Sequence, residues 1–543
     1  MGSPCTHRRS NQPRSLMYVP CFMDAPPFCH FHTRCTRAII IAGLVPARLH
    51  TRLQQARHPA GQPEFSVMRD TVVLYPSLGV SHLLPMVELS GLFLRRGLAV
   101  TFVVVEPPAA STDASYRVAR AAEANPSIHF HVLPLPPPDT TVSPELPRDP
   151  FALFRLANAP LRDYLRSVSP SAASMRALVF DFFCIDALDV AAELGVPAYL
   201  FYTSGACSLA VSLHLPHKQA EVSASFGDIG DAPLCFPGVP PFIPTDLPEN
   251  ALDRDNKVYR KILYTFERVP ACHGILVNTF EWLEAKAVAA IREGACVPGR
   301  ATPPVYCVGP LVSGGGEAKK HECLSWLDAQ PEKSVVFFCF GSMGSFSKRQ
   351  LEAIATGLEM SGQRFLWVVR SPRRDGASLY ADDGHQPPEP DLGELLPEGF
   401  LERTKARGLV AKSWAPQADV LRHRATGAFV THCGWNSVLE GITAGVPLLC
   451  WPLYAEQRLN KVFMVEEARV GVEMAGYDRE VVTAEEVEAK VRWVMDSEDG
   501  RALRARVMVA KEKAVEAVQQ GGTSHNALVE LLADLGFDEC GTH

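Results

Sequence analysis

From Met68 onward the chain alternates short, continuously apolar runs with segments of helical spacing, and it does so in two series. The first contains TVVLY, AVTFVVV, IHFHVL, ALVFD, AYLFY and GILVN; the second contains SVVFFCF, RFLWVVR, GLVAKSW, GAFVTHC and VPLLCW. Runs rich in β-branched residues, with no polar alternation, suit strands buried on both faces, as in a parallel sheet covered by helices. A covering helix follows the first run, where Leu83, Met86, Val87, Leu89, Leu92 and Phe93 recur at helical steps. This pattern predicts an α/β protein built from doubly wound sheets.

Two series imply two domains, and 543 residues is too long a chain for one core. Ser313 is followed by three glycines and then by charged sequence, which marks 313–322 as a linker. The first domain is expected at 68–312 and the second at 323–522, with a helix and tail at 523–543. Two Pro-rich stretches, 134–150 and 235–250, read as surface loops, and such loops tend to line a pocket mouth. The insert at 371–393 has no periodicity and is expected to be a loop without regular structure.

Residues 1–67 differ in character, with eight Arg, no Lys and only Asp24 and Glu64 as acids. A basic, acid-poor leader suits an organelle transit peptide, and MGSPCT fits a myristoylation pattern with Cys5 nearby. Met68 stands directly before the first strand, so we read 1–67 as an unstructured leader or a misplaced start.

The net charge of −7 argues against a nucleic-acid or anionic-membrane surface. No apolar run reaches the length of a membrane span. The fifteen cysteines form no CxxC pair and several fall in strand-like runs, which reads as buried, reduced thiols in a cytoplasmic protein.

The chemistry concentrates at 414–457, which runs from Trp414, Ala415 and Gln417 through GAFV into His432-Cys433-Gly434-Trp435-Asn436-Ser437. A helix should start there, because Ser437 and Glu440 have the spacing of a capping box. Strand, polar turn and helix N-terminus together hold an anionic phosphate through open backbone N–H groups. Earlier in the chain, His82 sits in the loop PSLGVSHLLP, where an imidazole can act as a base at cellular pH. A lone histidine is more often structural. Asp181 ends the strand ALVFD, where a carboxylate can hold the second ring N–H of a histidine. Helical spacing carries the rival acids Asp186 and Asp189 away from that strand end.

The 414–457 block resembles the secondary-product box of plant family 1 UDP-sugar glycosyltransferases, and the similarity extends over most of the chain after Met68. The resemblance implies the GT-B architecture, two Rossmann-like domains across a cleft, with the last helix crossing back to the first domain. It implies His82 as base and Asp181 as its partner in an inverting transfer. It places UDP-glucose at Ser342, Gly344, Trp414, Ala415, Gln417, His432, Gly434, Trp435, Asn436, Ser437, Tyr454, Glu456 and Gln457. Within that set Trp414 would stack on uracil, and the closing Gln457 resembles that of glucose users. On physics alone Glu440 could merely cap the helix, but the resemblance implies that it joins the donor set by binding the ribose hydroxyls.

The acceptor is less constrained. Phe182, Phe183, Phe201, Tyr202, Thr203 and Phe346 fall at strand ends or loops near the cleft and suit a flat phenolic partner, although core packing is the commoner role for any single ring. The flavonoid, isoflavonoid and chalcone glucosyltransferase subgroup is the nearest in flavour, and a C-glycoside product is an alternative. No metal or other cofactor is expected, since the one D-x-D, at Asp253 and Asp255, lies in a charged stretch that reads as a solvated helix face. A monomer is expected. A hydrolase using Ser81 beside His82 lacks any GxSxG elbow, and a non-catalytic nucleotide binder would not need the His82 and Asp181 pair. Peptides from the native protein should begin at or after Met68; any that map upstream would refute a misplaced start.

Overall fold

The computed structural model describes residues 70–105, 118, 120–134, 149–168, 175–313, 321–373 and 388–537. The expected leader at 1–67 lies outside them, as do most of the linker at 313–322, residues 135–148 of the first Pro-rich stretch and residues 374–387 of the insert.

Seven strands form the first sheet: β1 (Thr71–Tyr75), β2 (Ala99–Val105), β3 (His129–Leu133), β4 (Met175–Asp181), β5 (Ala198–Tyr202), β6 (Gly274–Val277) and β7 (Val305–Cys307). Six form the second: β8 (Val335–Cys339), β9 (Arg364–Val369), β10 (Gly408–Lys412), β11 (Thr426–Thr431), β12 (Leu448–Cys450) and β13 (Gly471–Glu473). Their spatial orders are β3-β2-β1-β4-β5-β6-β7 and β10-β9-β8-β11-β12-β13. All the pairings are parallel, for example Leu74 opposite Val179 and Phe338 opposite Val430. Each sheet therefore winds one way from its first strand and then reverses, the doubly wound order in which ligands bind at the carboxyl edge beside the reversal. The fold is GT-B, two Rossmann-like domains.

Among the helices are α1 (Val80–Arg95), α2 (Ala206–Glu221), α3 (Gln417–Arg422), α4 (Trp435–Ala444), α5 (Gln457–Val462) and α6 (Thr523–Asp534). Alternation along β1 sends Val73 and Tyr75 into one core and Val72 and Leu74 into another. The second core is closed by α1 and by α6, whose Ala527, Leu528, Leu531 and Leu532 are buried against it. The helix that follows the second domain thus packs back on the first. Ser524 donates to the Gly309 carbonyl at 2.5 Å, and Tyr306 bonds Asp534.

Among the described residues no helix is long and apolar enough to cross a membrane. Ten described cysteines are free thiols and nine of them are buried, which fits small apolar core residues better than a disulfide framework. Leu531→Ala, which empties a site only 1% exposed, should cost about 2–5 kcal/mol. The measurement is the denaturation midpoint of the first domain, read with its protease sensitivity.

Candidate active site

The two reversals place their loops within reach of one another. After β1, Gly79 opens α1, and a Cβ there would come 2.8 Å from the His82 ring. His82 Nδ1 lies 2.6 Å from Asp181 Oδ2 at the end of β4, although 99 residues separate them. Asp181 is fully buried, and its other oxygen accepts the Phe183 N–H at 3.0 Å, so the carboxylate is locked in place. The Thr203 hydroxyl, just after β5, approaches the same Nδ1 at 3.3 Å. Nδ1 is thereby committed, which leaves Nε2 as the ring atom able to take a proton. Asp186 is held elsewhere, by Arg155, Arg268 and Tyr264 at 2.7–3.0 Å, as its spacing from Asp181 predicts.

Opposite this pair stands α4. Its N-cap is Gly434, and no side chain caps it, so the leading N–H groups stay open. This corrects the capping-box expectation. Ser437 lies in the first turn rather than at the cap, and its hydroxyl accepts from Gln417 Nε2 at 2.8 Å. The same Gln417 nitrogen donates to Glu440 at 2.6 Å. Glu440 therefore faces α3, away from any capping role. Burial raises the Glu440 pKa, and the Gln417 bond opposes that rise.

His432 is wedged between two glycines. A Cβ at Gly341 would come 2.6 Å from its ring, and one at Gly434 2.5 Å from Nε2. Among the described residues, His432 Nδ1 and Asn436 Oδ1 are buried without a hydrogen-bond partner. Unpaired buried polar atoms are uncommon in folded interiors, and here two lie beside an uncapped helix end. Ser342 lies exposed in the neighbouring turn after β8, where Gly344 N–H closes on the Phe340 carbonyl at 3.1 Å. Three of the five described non-glycine residues with positive φ, namely Ser413, Cys433 and Ala455, each stand beside a residue of this site. Backbone strain of this kind persists where the surroundings over-determine it.

The indole of Trp414 is 51% exposed, with the His321 ring edge-on at 5.4 Å. Glu456 accepts from Ser204 of the first domain at 3.1 Å. Gln457 uses its carbonyl oxygen to hold the Leu453 and Tyr454 N–H groups at 2.9 and 3.0 Å. Asn436 Nδ2 donates to the carbonyl of Ser81 at 2.9 Å, so the helix end touches the residue before His82.

The family model described as UDP-glucoronosyl and UDP-glucosyl transferase matches residues 297–508. The anthocyanidin 5,3-O-glucosyltransferase of a Rosa hybrid cultivar is 43% identical over 479 residues, which cover 85% of this chain and 98% of that one. The phloretin 2'-O-glucosyltransferase of Pyrus communis is 42% identical over 486 residues, covering 86% and 100%. The chain belongs to this glycosyltransferase family. A solved structure of Phytolacca americana UGT2 with UDP-2fluoro-glucose and pterostilbene superposes with a TM-score of 0.75 at 36% identity, covering 86% of this chain and 100% of that one.

In this UDP-glycosyltransferase the aromatic wall beside His82 is larger than its sequence suggests. The Phe182 and Phe183 rings lie 4.1 Å apart, tilted at 32°, and 5.8 and 5.4 Å from the His82 ring. Phe151 and Phe266, unmarked by any motif, join them at 5.0 Å from Phe183 and 6.3 Å from Phe182. Phe201 is core, and Tyr202 is buried with its hydroxyl on Ser208. Phe346 packs in the second domain against Phe340 and Trp451 at 4.6 and 5.3 Å, apart from the Phe182 group. The Trp435 indole does not stand free toward a sugar; it is 3% exposed and donates to the Asn278 carbonyl of the first domain at 2.7 Å. Asp253 accepts the Asp255 N–H at 2.9 Å and Asp255 pairs with Arg260, so the D-x-D forms a turn before a helix rather than part of a helix face.

The two histidines are tuned in opposite directions. Burial opposes charge on His82, but the Asp181 charge and hydrogen bond, with the Glu456 charge, outweigh it and hold its pKa above 6.5. Burial, reinforced by the Arg370 charge, pushes His432 down to about 4. The His82 pairing thus adds stability that is complete below pH 6.5 and lost as pH rises through its folded value. His432 costs stability as pH falls from 6.5 towards 4, because the unfolded chain takes up the proton first. Nitrogen-15 histidine titration should find His432 neutral at about pH 5 while His82 is protonated. A His432 midpoint near 6.5 would contradict its buried neutral state.

Proposed function

We propose that the enzyme transfers glucose, with inversion, from UDP-glucose to a hydroxyl of a small phenolic acceptor of the flavonoid class. The observation that carries this reading is the contact of Asn436 with the Ser81 carbonyl, which sets an open helix N-terminus beside a carboxylate-held histidine. His82 Nε2 takes the acceptor proton as the acceptor oxygen attacks the anomeric carbon. The bond to the diphosphate breaks on the opposite face, and UDP carries away the electron pair. Asp181 steadies the imidazolium, and the proton leaves later to solvent.

The donor groups divide the nucleotide among them. Trp414 stacks on uracil, Gln417 and Glu440 hold the ribose, and Glu456 with the Gln457 amide meets the sugar hydroxyls. The diphosphate lies on the first N–H groups of α4, with His432, Asn436, Ser437, Ser342 and Gly344 around it. Donors fixed before the reaction, at a helix end, stabilise the leaving charge without a reorganisation cost. We infer that turnover needs no added divalent ion. The half-buried Phe182 and Phe183, backed by the buried Phe151 and Phe266, offer apolar ring surface to a phenol, and two relatives are named for anthocyanidin and phloretin. We place the enzyme in the cytoplasm as a monomer.

The direct assay mixes the protein with UDP-glucose and a panel of phenols, reads UDP release, and determines the product by mass and NMR. His82→Ala should lower kcat by about 10²–10⁴-fold while UDP still binds. Retained turnover would remove the base assignment. Only neutral imidazole accepts a proton, so kcat/KM should rise with pH through a midpoint above 6.5, and Asp181→Asn should move that midpoint to lower pH. Trp414→Ala should weaken UDP binding by about 1–3 kcal/mol in calorimetry. Activity abolished by a chelator and restored by magnesium would refute the metal-free reading.

A further inference from the structure

The mechanism leaves one fully buried acid without a role. Glu284 lies beyond β6 and shows no exposure to solvent. Its two oxygens accept the Ala206 and Cys207 N–H groups, each at 2.8 Å, at the start of α2. The N-cap residue of α2 is Gly205, which brings no side chain to the task. A Ser or Asp at that position would cap the helix locally and at little cost. Here the capping carboxylate instead comes from 78 residues away, and its burial carries a desolvation cost.

The space around Gly205 explains the arrangement. A Cβ at Gly205 would come 2.7 Å from Glu284 Oε1 and 2.8 Å from the Trp435 ring. Trp435 belongs to the second domain and opens the proposed diphosphate helix, and its Nε1 reaches across to the Asn278 carbonyl. The residues just before Gly205 are Thr203, whose hydroxyl lies 3.3 Å from His82 Nδ1, and Ser204, which donates to Glu456 at 3.1 Å. One short turn thus touches the base, the sugar-side carboxylate and the indole of the opposite domain.

We infer that Glu284 is a positioning residue of the catalytic cleft. By holding the two leading N–H groups of α2 it fixes the 203–205 turn, and with it the hydroxyls set against His82 and Glu456 and the slot that receives Trp435. This rests on the roles given to His82 and Glu456 above. The glycine is the necessary complement, since a local side-chain cap would fill the Trp435 slot.

The test is a split between binding and turnover. Glu284→Gln keeps the shape but turns a donor toward one of the two N–H groups. It should lower kcat/KM for UDP-glucose by about ten- to a hundredfold, because small misplacements at a reacting centre cost rate steeply. Calorimetric UDP affinity of Glu284→Gln should stay within about twofold, because the hydroxyls carried by the turn face His82 and the sugar-side Glu456 rather than the nucleotide. Gly205→Ala crowds the Glu284 carboxylate and the Trp435 ring together, so it should lower kcat/KM likewise, and it decides the matter if Glu284→Gln does not fold. Wild-type kinetics in either folded variant overturns the inference, as does UDP affinity of Glu284→Gln falling in parallel with its kcat. A wild-type protein that transfers no sugar would sink the functional reading instead. Hydrogen exchange then decides: a disturbed turn loosens amides 203–207 together, and loosening confined to 206–207 overturns the coupling.

Discussion

The structure depends on the reversal of winding between β1 and β4, repeated between β8 and β11. Parallel strands must be joined by crossovers, and where successive crossovers pass to opposite faces their loops part at the carboxyl edge. The loop after β1 and the end of β4 supply His82 and Asp181; those after β8 and β11 supply Ser342, Gly344 and His432. Neither sheet alone holds the whole constellation. Its completion is a matter of the seam, where Asn436 meets Ser81 and Glu456 meets Ser204.

The seam is held by polar contacts of high specificity. Lys461 and Asp246, only 7% and 5% exposed, pair across it at 3.3 Å, with Glu473 at 3.1 Å from the same ammonium. Tyr477 donates to Asp246 at 3.3 Å, and Arg458 reaches the Thr245 carbonyl at 3.0 Å. Burying ions costs desolvation that their attraction barely repays, so such a pair sets orientation more than net stability. Asp246 sits in the second Pro-rich stretch, whose described part is thereby fastened to the opposite domain.

The strand series, and hence the fold, was legible in the sequence because burial on both faces leaves continuous apolar runs. The 414–457 block was legible because its chemistry is consecutive in the chain. The placing of Glu440 was not, since a four-residue capping pattern is satisfied by chance and the real helix start at Gly434 is deliberately bare. Trp435 stood open for a related reason: a tryptophan after glycine in a polar turn suits a sugar contact or a buried ring alike, and its burial comes from the opposite domain. Phe151, Phe266 and Glu284 carry no local mark at all. Each acquires meaning only from partners 32 to 84 residues away, such as Phe183, Phe182 and Ala206.

The helix Thr523–Asp534 also bears on how the molecule is made. Its Leu528, Leu531 and Leu532 complete the core that also holds Val72 and Leu74 of β1, so the first domain is closed by side chains translated after the second. Until they arrive, an apolar sheet face and the flank of α1 stay uncovered while the second domain emerges and folds. The nascent first half is thus an unfinished hydrophobic surface, the condition in which chains recruit chaperones or aggregate. A tail that looks like an appendage in the finished enzyme acts during synthesis as the lid of its oldest core.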